Sequence, residues 1–208
     1  MKHRTKLLQF GYKEGYSTTQ SSWFLMEIAN YFIRKGSPCI ITLLDCTKAF
    51  DKCRFDIIFR KLLKRKVPAI VIRAIIYVYE KQVAWIKWGD CRSRSFGVTN
   101  GSRQGSVLSP ALFSVYMVEI FQKLRKLGVG SHLGKLFCGA VGYCDDLLLL
   151  APSRSAMMEL MLKACEEYAL ENNLEFSTDP NPKKSKSKCI YMHGSLKKGT
   201  ALLKPEAI

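Results

Sequence analysis

The sequence is poor in acidic residues, and it contains no long uninterrupted run of hydrophobic residues. Its 208 residues include 33 Lys and Arg but only 17 Asp and Glu, which gives a formal net charge of +16. Such an excess favours a polyanionic partner, of which nucleic acid is the commonest. No apolar run approaches the roughly 20 residues of a membrane span, and no long basic amphipathic helix favours an anionic membrane surface. The composition therefore predicts a nucleic-acid-binding protein without a membrane contact.

Histidine is scarce, and the cysteines are not spaced as metal ligands. Eight cysteines are scattered along the chain without a Cys-x-x-Cys pair, and only three histidines accompany them. A zinc site, which needs closely spaced His and Cys ligands, is therefore not expected. Most of the cysteines lie among apolar residues, as small core residues do in a reducing compartment. The polar start of the sequence does not fit a secretory signal, so we expect an intracellular protein, nuclear or cytoplasmic.

What is present is a globular composition with alternating helix and strand patterns. The chain is 48% hydrophobic and long enough for one sizeable domain. Helical spacing predicts helices over Thr18–Arg34, Phe55–Lys66, Pro68–Lys81 and Ser155–Leu170, and another that begins at Ser109 and Pro110. Strands are predicted at Cys39–Asp45, twice within Val83–Gly97, twice within Leu136–Ala151, and at Cys189–Met192. This order does not require parallel strands, so the fold class is predicted to be α+β.

One stretch places two adjacent acids between hydrophobic segments. It reads VGYCDDLLLLAP (Val141–Pro152), with Asp145 and Asp146 between Tyr143 and four leucines. Adjacent residues of a strand point to opposite faces, but at the tip of a tight hairpin both carboxylates can reach one cation. Aspartate is also a common turn residue. This stretch alone is therefore consistent with a solvated turn or with a metal site.

A third carboxylate favours the metal site. Asp45 closes the apolar strand CIITLLD, so it again stands at the end of a buried element. Three carboxylates on neighbouring strand ends repel one another unless a divalent cation neutralises them. Carboxylate oxygens without nearby His or Cys favour Mg²⁺ or Mn²⁺, and two such ions ~3.5–4 Å apart form the clamp used for in-line phosphoryl transfer. With the basic composition, the acids predict a nucleotidyl transferase or a nuclease.

Four motifs resemble those of reverse transcriptases and occur in the same order. They are QFGYKEGYSTTQ (Gln9–Gln20), LLDCTKAFD (Leu43–Asp51), GSRQGSVLSP (Gly101–Pro110) and YCDD (Tyr143–Asp146). The first resembles a fingers segment of the non-LTR, LINE-like retrotransposon group, and YCDDLLLLAPS resembles the catalytic hairpin of that group. The resemblance extends from about Gln9 to Met192. It implies a reverse-transcriptase-like palm, in which an antiparallel sheet packs on helices.

The resemblance gives roles to the three acids and to one aromatic residue. Asp45 matches the first metal-binding aspartate, and Asp145 and Asp146 match the catalytic pair. Phe50 matches the aromatic steric gate, which excludes a ribose 2′-hydroxyl because its ring fills the space under the sugar. An ordinary core phenylalanine is the alternative interpretation of Phe50. Cys144 departs from the group, which usually has alanine there, but cysteine is small enough to fit.

Two further motifs supply binding and proton-transfer candidates. Arg103, Gln104 and Gly105 match the loop that supports the template and the incoming nucleotide, and glycine there permits close backbone approach. The basic run NPKKSKSK resembles the lysine motif that follows the catalytic hairpin. Its Lys184 is our choice for the general acid that protonates the leaving pyrophosphate, with Lys183 and Lys186 as alternatives. A solvated basic loop is the competing interpretation for each lysine.

The resemblance also predicts how the chain is organised and which parts are missing. We expect one reverse transcriptase domain with partial fingers in residues 1–36, a palm with embedded fingers helices in 37–193, and a tail in 194–208. The upstream fingers motifs, the primer grip, the helical thumb and an endonuclease domain are not recognised in the sequence. The chain is therefore predicted to be a palm with part of the fingers rather than a complete polymerase.

The predicted function is that of an RNA-directed DNA polymerase of a LINE-like element. It implies an RNA template, a DNA primer or target, dNTPs and two Mg²⁺ (or Mn²⁺) ions as partners and cofactors, while the sequence leaves the oligomeric state undetermined. A non-catalytic nucleic-acid-binding remnant of such an element is the alternative. A metal-dependent nuclease explains the acids but explains neither Phe50 nor the loop at 103–105.

Overall fold

A computed structural model describes residues 8–102, 105–179, 181 and 183–192, and the backbone of residues 204–207. The helices are α1 (Thr18–Arg34), α2 (Ala49–Lys52), α3 (Phe55–Lys64), α4 (Ala69–Glu80), α5 (Ser109–Lys126), a π-helical segment (Ala156–Leu162) and α6 (Lys163–Glu171). The strands are β1 (Cys39–Leu44), β2 (Val83–Ala84), β3 (Lys87–Trp88), β4 (Cys91–Arg92), β5 (Phe96–Gly97), β6 (His132–Leu133), β7 (Leu136–Phe137), β8 (Ala140–Tyr143), β9 (Asp146–Ala151), β10 (Lys188–Met192) and β11 (Lys204–Ala207). All strand pairs within the sheets are antiparallel, which confirms the predicted α+β class.

The chain divides into two compact units. The first joins residues 1–49 to residues 117–208, and the second is Phe50–Tyr116. The division between fingers and palm that the sequence suggested at residue 36 stays a prediction.

The first unit is organised by a five-stranded sheet with the order β11-β10-β1-β9-β8. β1 pairs with both β10 and β9, and five of its six residues are buried, as is typical of a strand covered on both faces. β9 likewise buries Leu147, Leu149 and Leu150 completely. The sheet therefore fixes the position of the residues that follow β1 and precede β9.

Helix α1 packs its apolar face against this sheet. It begins with a capping box, in which the backbone N–H of Gln20 donates to Ser17 Oγ and the backbone N–H of Ser17 donates to Gln20 Oε1. It ends before Gly36, whose positive φ of 75° is a conformation that glycine adopts easily. Ile28 and Ala29 are buried in one cluster with residues of β1, β8 and β9. The predicted bounds of this helix are confirmed.

The second unit contains the basic helix α3 and the mainly apolar helix α4. Their buried apolar residues are Ile57, Ile58, Leu62, Ile72 and Ile75. Lys61 is also buried, but its Nζ donates a hydrogen bond of 2.7 Å to the carbonyl oxygen of Tyr116 and lies 4.8 Å from the centre of the Tyr116 ring. Both contacts offset the cost of burying the ammonium group.

Several element ends differ from the sequence prediction by one or two residues, including both ends of α4 (Ala69–Glu80, predicted as Pro68–Lys81) and the start of β10 at Lys188. β1 ends at Leu44, so Asp45 lies just outside the strand. α3 ends at Lys64 and does not reach Lys66, because Lys66 has a positive φ of 58° and turns the chain out of the helix.

The helix predicted over Ser155–Leu170 differs in kind in its first half, which is π-helical over Ala156–Leu162. A π-helix has more than four residues per turn, so side chains four positions apart lie on one face. Met157 and Met161 have this spacing, and both are fully buried. Periodicity alone could not distinguish this turn from an α-helix.

The segment Leu136–Ala151 forms three strands where two were predicted. β7 pairs with β6 in a small separate hairpin, whose turn contains Gly134 with a positive φ of 59°. β8 and β9 form the predicted hairpin around Cys144 and Asp145.

All eight cysteines are free, and Cys91 is exposed. Among the residues that the structure describes, no helix is both long and apolar enough to span a membrane.

Candidate active site

The register of β1 and β9 brings two of the three predicted acids to the same edge of the sheet. The last paired positions are Leu44 and Leu147. Asp45 follows the first and Asp146 precedes the second, so the same antiparallel register sets them opposite each other. β9 also pairs with β8, where Asp146 faces Tyr143. Asp145 lies in the two-residue loop of that hairpin, next to this position.

The hairpin loop adopts a conformation that is unusual for a residue with a side chain. Cys144, the first loop residue, has a positive φ of 57°. Such a conformation costs of order 1 kcal/mol or more for a residue other than glycine and persists only when the surroundings enforce it.

Residues 8–11 supply these surroundings. Gln9 Nε2 donates to the carbonyl oxygen of Cys144 at 3.1 Å. Backbone hydrogen bonds of 2.7 Å join Phe10 N–H to the Gly142 carbonyl and Gly142 N–H to the Leu8 carbonyl. A side chain on Gly11 would collide with the backbone nitrogen of Cys144, so only glycine permits this close approach.

Sequence reasoning missed this support. It assigned Gln9–Gln20 to the fingers on its resemblance and gave no contact between this segment and the hairpin. The polar and glycine residues of Gln9–Gly11 were a signal that the backbone approaches another element. No local pattern, however, indicates which element that is.

The carboxylates lie close enough to influence one another. The pKa of Asp146 is raised, first because the group is partly desolvated and then by the charges of Asp145 and Asp45. The neighbouring Cys46 thiol also has a raised pKa, mainly through burial and secondarily through the same acids. On the other side of the loop, burial and a hydrogen bond with Cys144 raise the pKa of Tyr12 to about 12. The site therefore concentrates negative charge that a cation would neutralise.

The donor set fits a hard divalent cation, because carboxylate oxygens are its preferred ligands. Within the described parts of the chain, however, no three His, Cys, Asp or Glu side chains are already drawn together into a group that could hold a metal ion. The backbone thus brings the acids to one edge, while their side chains do not yet form a closed coordination group.

Asp45 is held from the side opposite the hairpin by the segment 175–187. Its backbone N–H donates to Ser187 Oγ at 3.2 Å, and its carbonyl accepts from Ser177 N–H at 2.7 Å. Ser177 in turn accepts hydrogen bonds from the backbone N–H of Ser187 and from Ser185 Oγ. Ser185 and Ser187 are both buried. Sequence reasoning considered only the lysines of this segment and missed the two serines between them.

The predicted lysine lies on the same segment. Lys184 is exposed, and its backbone N–H donates to the carbonyl of Asn181 at 2.9 Å in a tight turn. The alternatives Lys183 and Lys186 are exposed as well. Since Ser185 and Ser187 point inward while the lysines between and beside them point to solvent, the segment has a buried serine face and an exposed lysine face.

Phe50 and Gly105 belong to the second unit. The ring of Phe50 is partly buried and stacks on that of the buried Phe113, with ring centres 4.4 Å apart. The carbonyl of Phe50 accepts a hydrogen bond of 2.7 Å from Ser102, which opens the loop that contains Gly105. Gly105 is exposed and has a positive φ of 80°. Arg103 and Gln104 lie outside the described residues.

Comparison with known proteins identifies the family of the chain. Residues 3–192 match the family described as reverse transcriptase (RNA-dependent DNA polymerase). The chain is 30% identical over 158 residues to the Retrovirus-related Pol polyprotein from type-1 retrotransposable element R2 of Nasonia vitripennis. This match covers 76% of the chain and 15% of that protein. It is 28% identical over 128 residues to a type-2 counterpart from Drosophila melanogaster, which covers 62% of the chain and 12% of that protein. The chain therefore spans only a small part of these curated relatives.

Solved structures resemble the chain in fold. A telomerase from Candida tropicalis, solved in complex with the TWJ fragment of telomeric RNA, matches 91% of the chain and 31% of its own length, with a TM-score of 0.68 and 11% identity. The apo form of telomerase from that species matches 93% of the chain and 34% of its own length, with a TM-score of 0.63 and 10% identity. The sheet, its acid-bearing edge and the match over residues 3–192 together lead to one conclusion: the chain belongs to the reverse transcriptase (RNA-dependent DNA polymerase) family.

Proposed function

We propose that the chain is the polymerase domain of a LINE-like retroelement and extends a DNA 3′-end on an RNA template. The observation that carries the proposal is the antiparallel register that sets Asp45 opposite Asp146, beside the loop that bears Asp145. An acid edge of this kind, within a member of the reverse transcriptase family, is the arrangement that nucleotidyl transfer requires. The similarity to the polyproteins of the R2 elements supports the LINE-like assignment.

Asp45, Asp145 and Asp146 would hold two Mg²⁺ or Mn²⁺ ions. When bound, such ions activate the primer 3′-hydroxyl and neutralise charge on the phosphates. In this proposal the protein would contribute the placement of the ligands, with the sheet holding Asp45 and Asp146 and the hairpin loop holding Asp145. Since burial, and after it the charges of Asp145 and Asp45, raise the pKa of Asp146, a bound cation would favour the ionised form that serves as a ligand.

Lys184 is proposed as the general acid for the leaving pyrophosphate. Its exposed side chain extends from a segment that is hydrogen-bonded through Ser187 to Asp45. This connection ties the lysine turn to the backbone of a proposed metal ligand. Lys183 and Lys186 stay alternatives, because they share the same exposure.

Phe50 is proposed to select the sugar, with Arg103, Gln104 and Gly105 supporting the template and the incoming nucleotide. The hydrogen bond between Ser102 and the carbonyl of Phe50 joins the start of that loop to the aromatic residue. Stacking on Phe113 limits the movement of the Phe50 ring, and a steric gate requires a ring that does not move aside. The net charge of +16 would allow phosphate contacts with the template and the primer. The free cysteines fit an intracellular location.

The decisive experiment is primer extension on an RNA template with Mg²⁺ or Mn²⁺. Asp145→Asn keeps the size of the side chain but removes its charge, so we expect extension to fall by about 10³-fold or more, on the scale of a lost transition-state charge contact. Glu27→Gln, which removes an exposed acid from α1, is the matched control and should leave extension unchanged. Equal activity of the parent and Asp145→Asn would contradict the proposal. Binding of RNA without extension by either protein would instead favour an inactive remnant.

The role of Phe50 is tested by replacing it with valine. The smaller side chain leaves room for a 2′-hydroxyl, so incorporation of ribonucleotides relative to deoxyribonucleotides should rise by about tenfold or more, that is ~1.4 kcal/mol per factor of ten. Phe113→Leu, which disturbs the stacking partner but leaves Phe50 in place, should raise it less. If Phe50→Val leaves sugar selection unchanged, Phe50 is only a packing residue.

A further inference from the structure

The segment Val83–Gly97, here called the ribbon, is a long antiparallel hairpin within the second unit. Its outer part pairs Lys87 with Arg92 and Trp88 with Cys91 around a turn at Gly89 and Asp90. Its inner part pairs Val83 with Gly97 and Ala84 with Phe96. The two parts differ by one residue in register, so the returning strand contains one extra residue between them. Such a bulge increases the local twist of a two-stranded ribbon.

The ribbon exposes large aromatic and aliphatic side chains. Trp88 is 85% exposed and Trp85 is 50% exposed, and Ile86, Val83 and Phe96 are exposed as well. A monomeric soluble protein exposes single hydrophobic residues routinely, but several large exposed side chains within one short hairpin indicate an interaction site.

The charges of the ribbon indicate the chemistry of its partner. Lys87, Arg92 and Arg94 lie among the aromatic residues, and Asp90 at the turn is the one acid of Val83–Gly97. Aromatic residues and arginine are also common in the cores of protein interfaces, but lysine is depleted there. Aromatic rings interleaved with cations are instead the arrangement that binds single-stranded nucleic acid, whose bases stack while its phosphates are neutralised.

The geometry of one face agrees with this chemistry. Side chains alternate along a strand, so Trp85 and Lys87 share a face with Arg92, which is opposite Lys87. The guanidinium of Arg92 lies 3.7 Å from the centre of the Trp85 ring, a cation–π contact that orients the arginine side chain. Trp88 is on the other face, where its ring is open to solvent. The ribbon therefore offers an oriented cation on one face and a free stacking surface on the other.

We propose that the ribbon is a binding site for single-stranded RNA, formed by residues other than Asp45, Asp145 and Asp146. Trp88 stacks on an unpaired base, and Lys87 and Arg92 neutralise phosphates of the same strand. The choice of RNA over DNA rests on the proposed function, since the template of an RNA-dependent DNA polymerase is RNA. The ribbon would hold a stretch of RNA that is not paired with the primer.

The test measures the Kd of the full chain for an unstructured 12-nucleotide RNA of mixed sequence, by fluorescence anisotropy. Trp88→Ala should raise Kd by about tenfold, the lower part of the range for the loss of one base–aromatic stack. Arg92→Ala should lower the slope of log Kd against log salt by about 0.7, the value for one phosphate contact on a single strand. Because these side chains are exposed, both variants should keep the circular dichroism spectrum and melting temperature of the parent.

Matched controls come from helix α1. Trp23 is 65% exposed and Arg34 is exposed at the end of the same helix. Trp23→Ala should leave Kd nearly unchanged, and Arg34→Ala should leave the salt slope nearly unchanged. A DNA duplex of the same length is a second control, because its bases are already stacked and Trp88→Ala should not weaken its binding.

The outcomes separate this proposal from the proposed function. If Trp88→Ala and Trp23→Ala raised Kd equally, or if Trp88→Ala left Kd unchanged, the proposed RNA site would be overturned. The proposal of polymerase activity would not be affected. If Trp88→Ala weakened the binding of single-stranded DNA but not that of RNA, the proposed RNA site would be overturned as well. Failure of Asp145→Asn to reduce primer extension would refute the catalytic assignment, whereas the anisotropy measurements do not depend on catalysis.

Discussion

The acid-bearing edge of the main sheet and the ribbon Val83–Gly97 are both antiparallel hairpin structures, but they differ in how much of each is buried. Around the acids, Leu147 and Leu149 are inaccessible to solvent, and the positive φ of Cys144 is enforced by contacts from residues 8–11. In the ribbon, the corresponding large side chains are exposed. The same type of backbone pairing therefore occurs with a dense shell of contacts in one region and with almost none in the other.

This difference matches the two tasks that we propose. Catalysis needs carboxylates held within a fraction of an ångström, which only rigid and well-packed elements can provide. Contact with a flexible strand of RNA needs exposed rings and cations, which tolerate small movements. Equivalent substitutions in the two regions should therefore have unequal effects on stability, and three matched pairs test this.

The largest contrast is expected between Leu149→Ala and Ile86→Ala. Leu149 is fully buried in β9, so its truncation should cost about 2–5 kcal/mol of unfolding free energy through lost burial and a cavity. Ile86 is exposed in the ribbon, and its truncation should change the free energy by less than about 0.5 kcal/mol. Urea denaturation of both variants measures the difference. Similar losses would mean that the ribbon is packed as tightly as the sheet.

The second contrast compares two serine hydroxyls that accept hydrogen bonds from backbone N–H groups. Ser187 Oγ accepts from Asp45 at 3.2 Å in a buried position, and Ser93 Oγ accepts from Ile86 at 2.9 Å in an exposed one. Ser187→Ala leaves the partly buried N–H of Asp45 without this partner and should cost about 1 kcal/mol. Ser93→Ala should cost only a few tenths, because water replaces the hydroxyl.

Ser187→Ala has a second readout, which distinguishes positioning from stability. If the hydroxyl positions Asp45, the variant should need more Mg²⁺ for half-maximal primer extension at a temperature where it is fully folded. Ser93→Ala should keep the Mg²⁺ requirement of the parent. A Ser187→Ala protein that is less stable but has an unchanged Mg²⁺ requirement would assign the serine a structural role alone.

The smallest contrast concerns two aspartates near hairpin turns. The pKa of Asp146 in the folded protein is raised above its ordinary value of 3.8, so ionising this group costs more in the folded than in the unfolded chain. Its contribution to stability is therefore present at acidic pH, falls as the pH rises through the folded pKa, and is lowest at neutral pH. Asp146→Asn should therefore raise the melting temperature at neutral pH without divalent cations, by about 2 °C. Asp90→Asn in the ribbon, which removes an exposed acid near Lys87 and Arg92 in the sequence, should not raise it.

Divalent cations should reverse the order of the melting temperatures of the parent and Asp146→Asn. Addition of Mg²⁺ or Mn²⁺ should stabilise the parent more than Asp146→Asn, because the variant lacks one proposed ligand. A gain in stability at acidic pH as large as that at neutral pH would show that the effect does not arise from the charge of Asp146. Differential scanning fluorimetry at pH 4 and pH 7 makes this comparison.

The sequence by itself determined the elements whose signals are local. The capping residues and hydrophobic period of α1 gave its bounds, Ser109 and Pro110 gave the start of α5, and the apolar run around Asp145 gave the hairpin. The order of the motifs also identified the family that the comparisons support. Each of these signals depends on residues that are close together in the chain, where periodicity and capping chemistry are decided.

Only the tertiary structure decided how distant segments meet. The register that sets Asp45 opposite Asp146, the support of Cys144 by Gln9 and Gly11, and the hydrogen bond from Asp45 to Ser187 all join residues far apart in sequence. Pairing of strands depends on backbone groups that every residue carries, so the side-chain pattern predicts that a strand exists but does not identify its partner. The exposure of Trp85 and Trp88 was hidden for the same reason, because an aromatic residue in a strand pattern indicates a packed face unless the fold leaves that face uncovered.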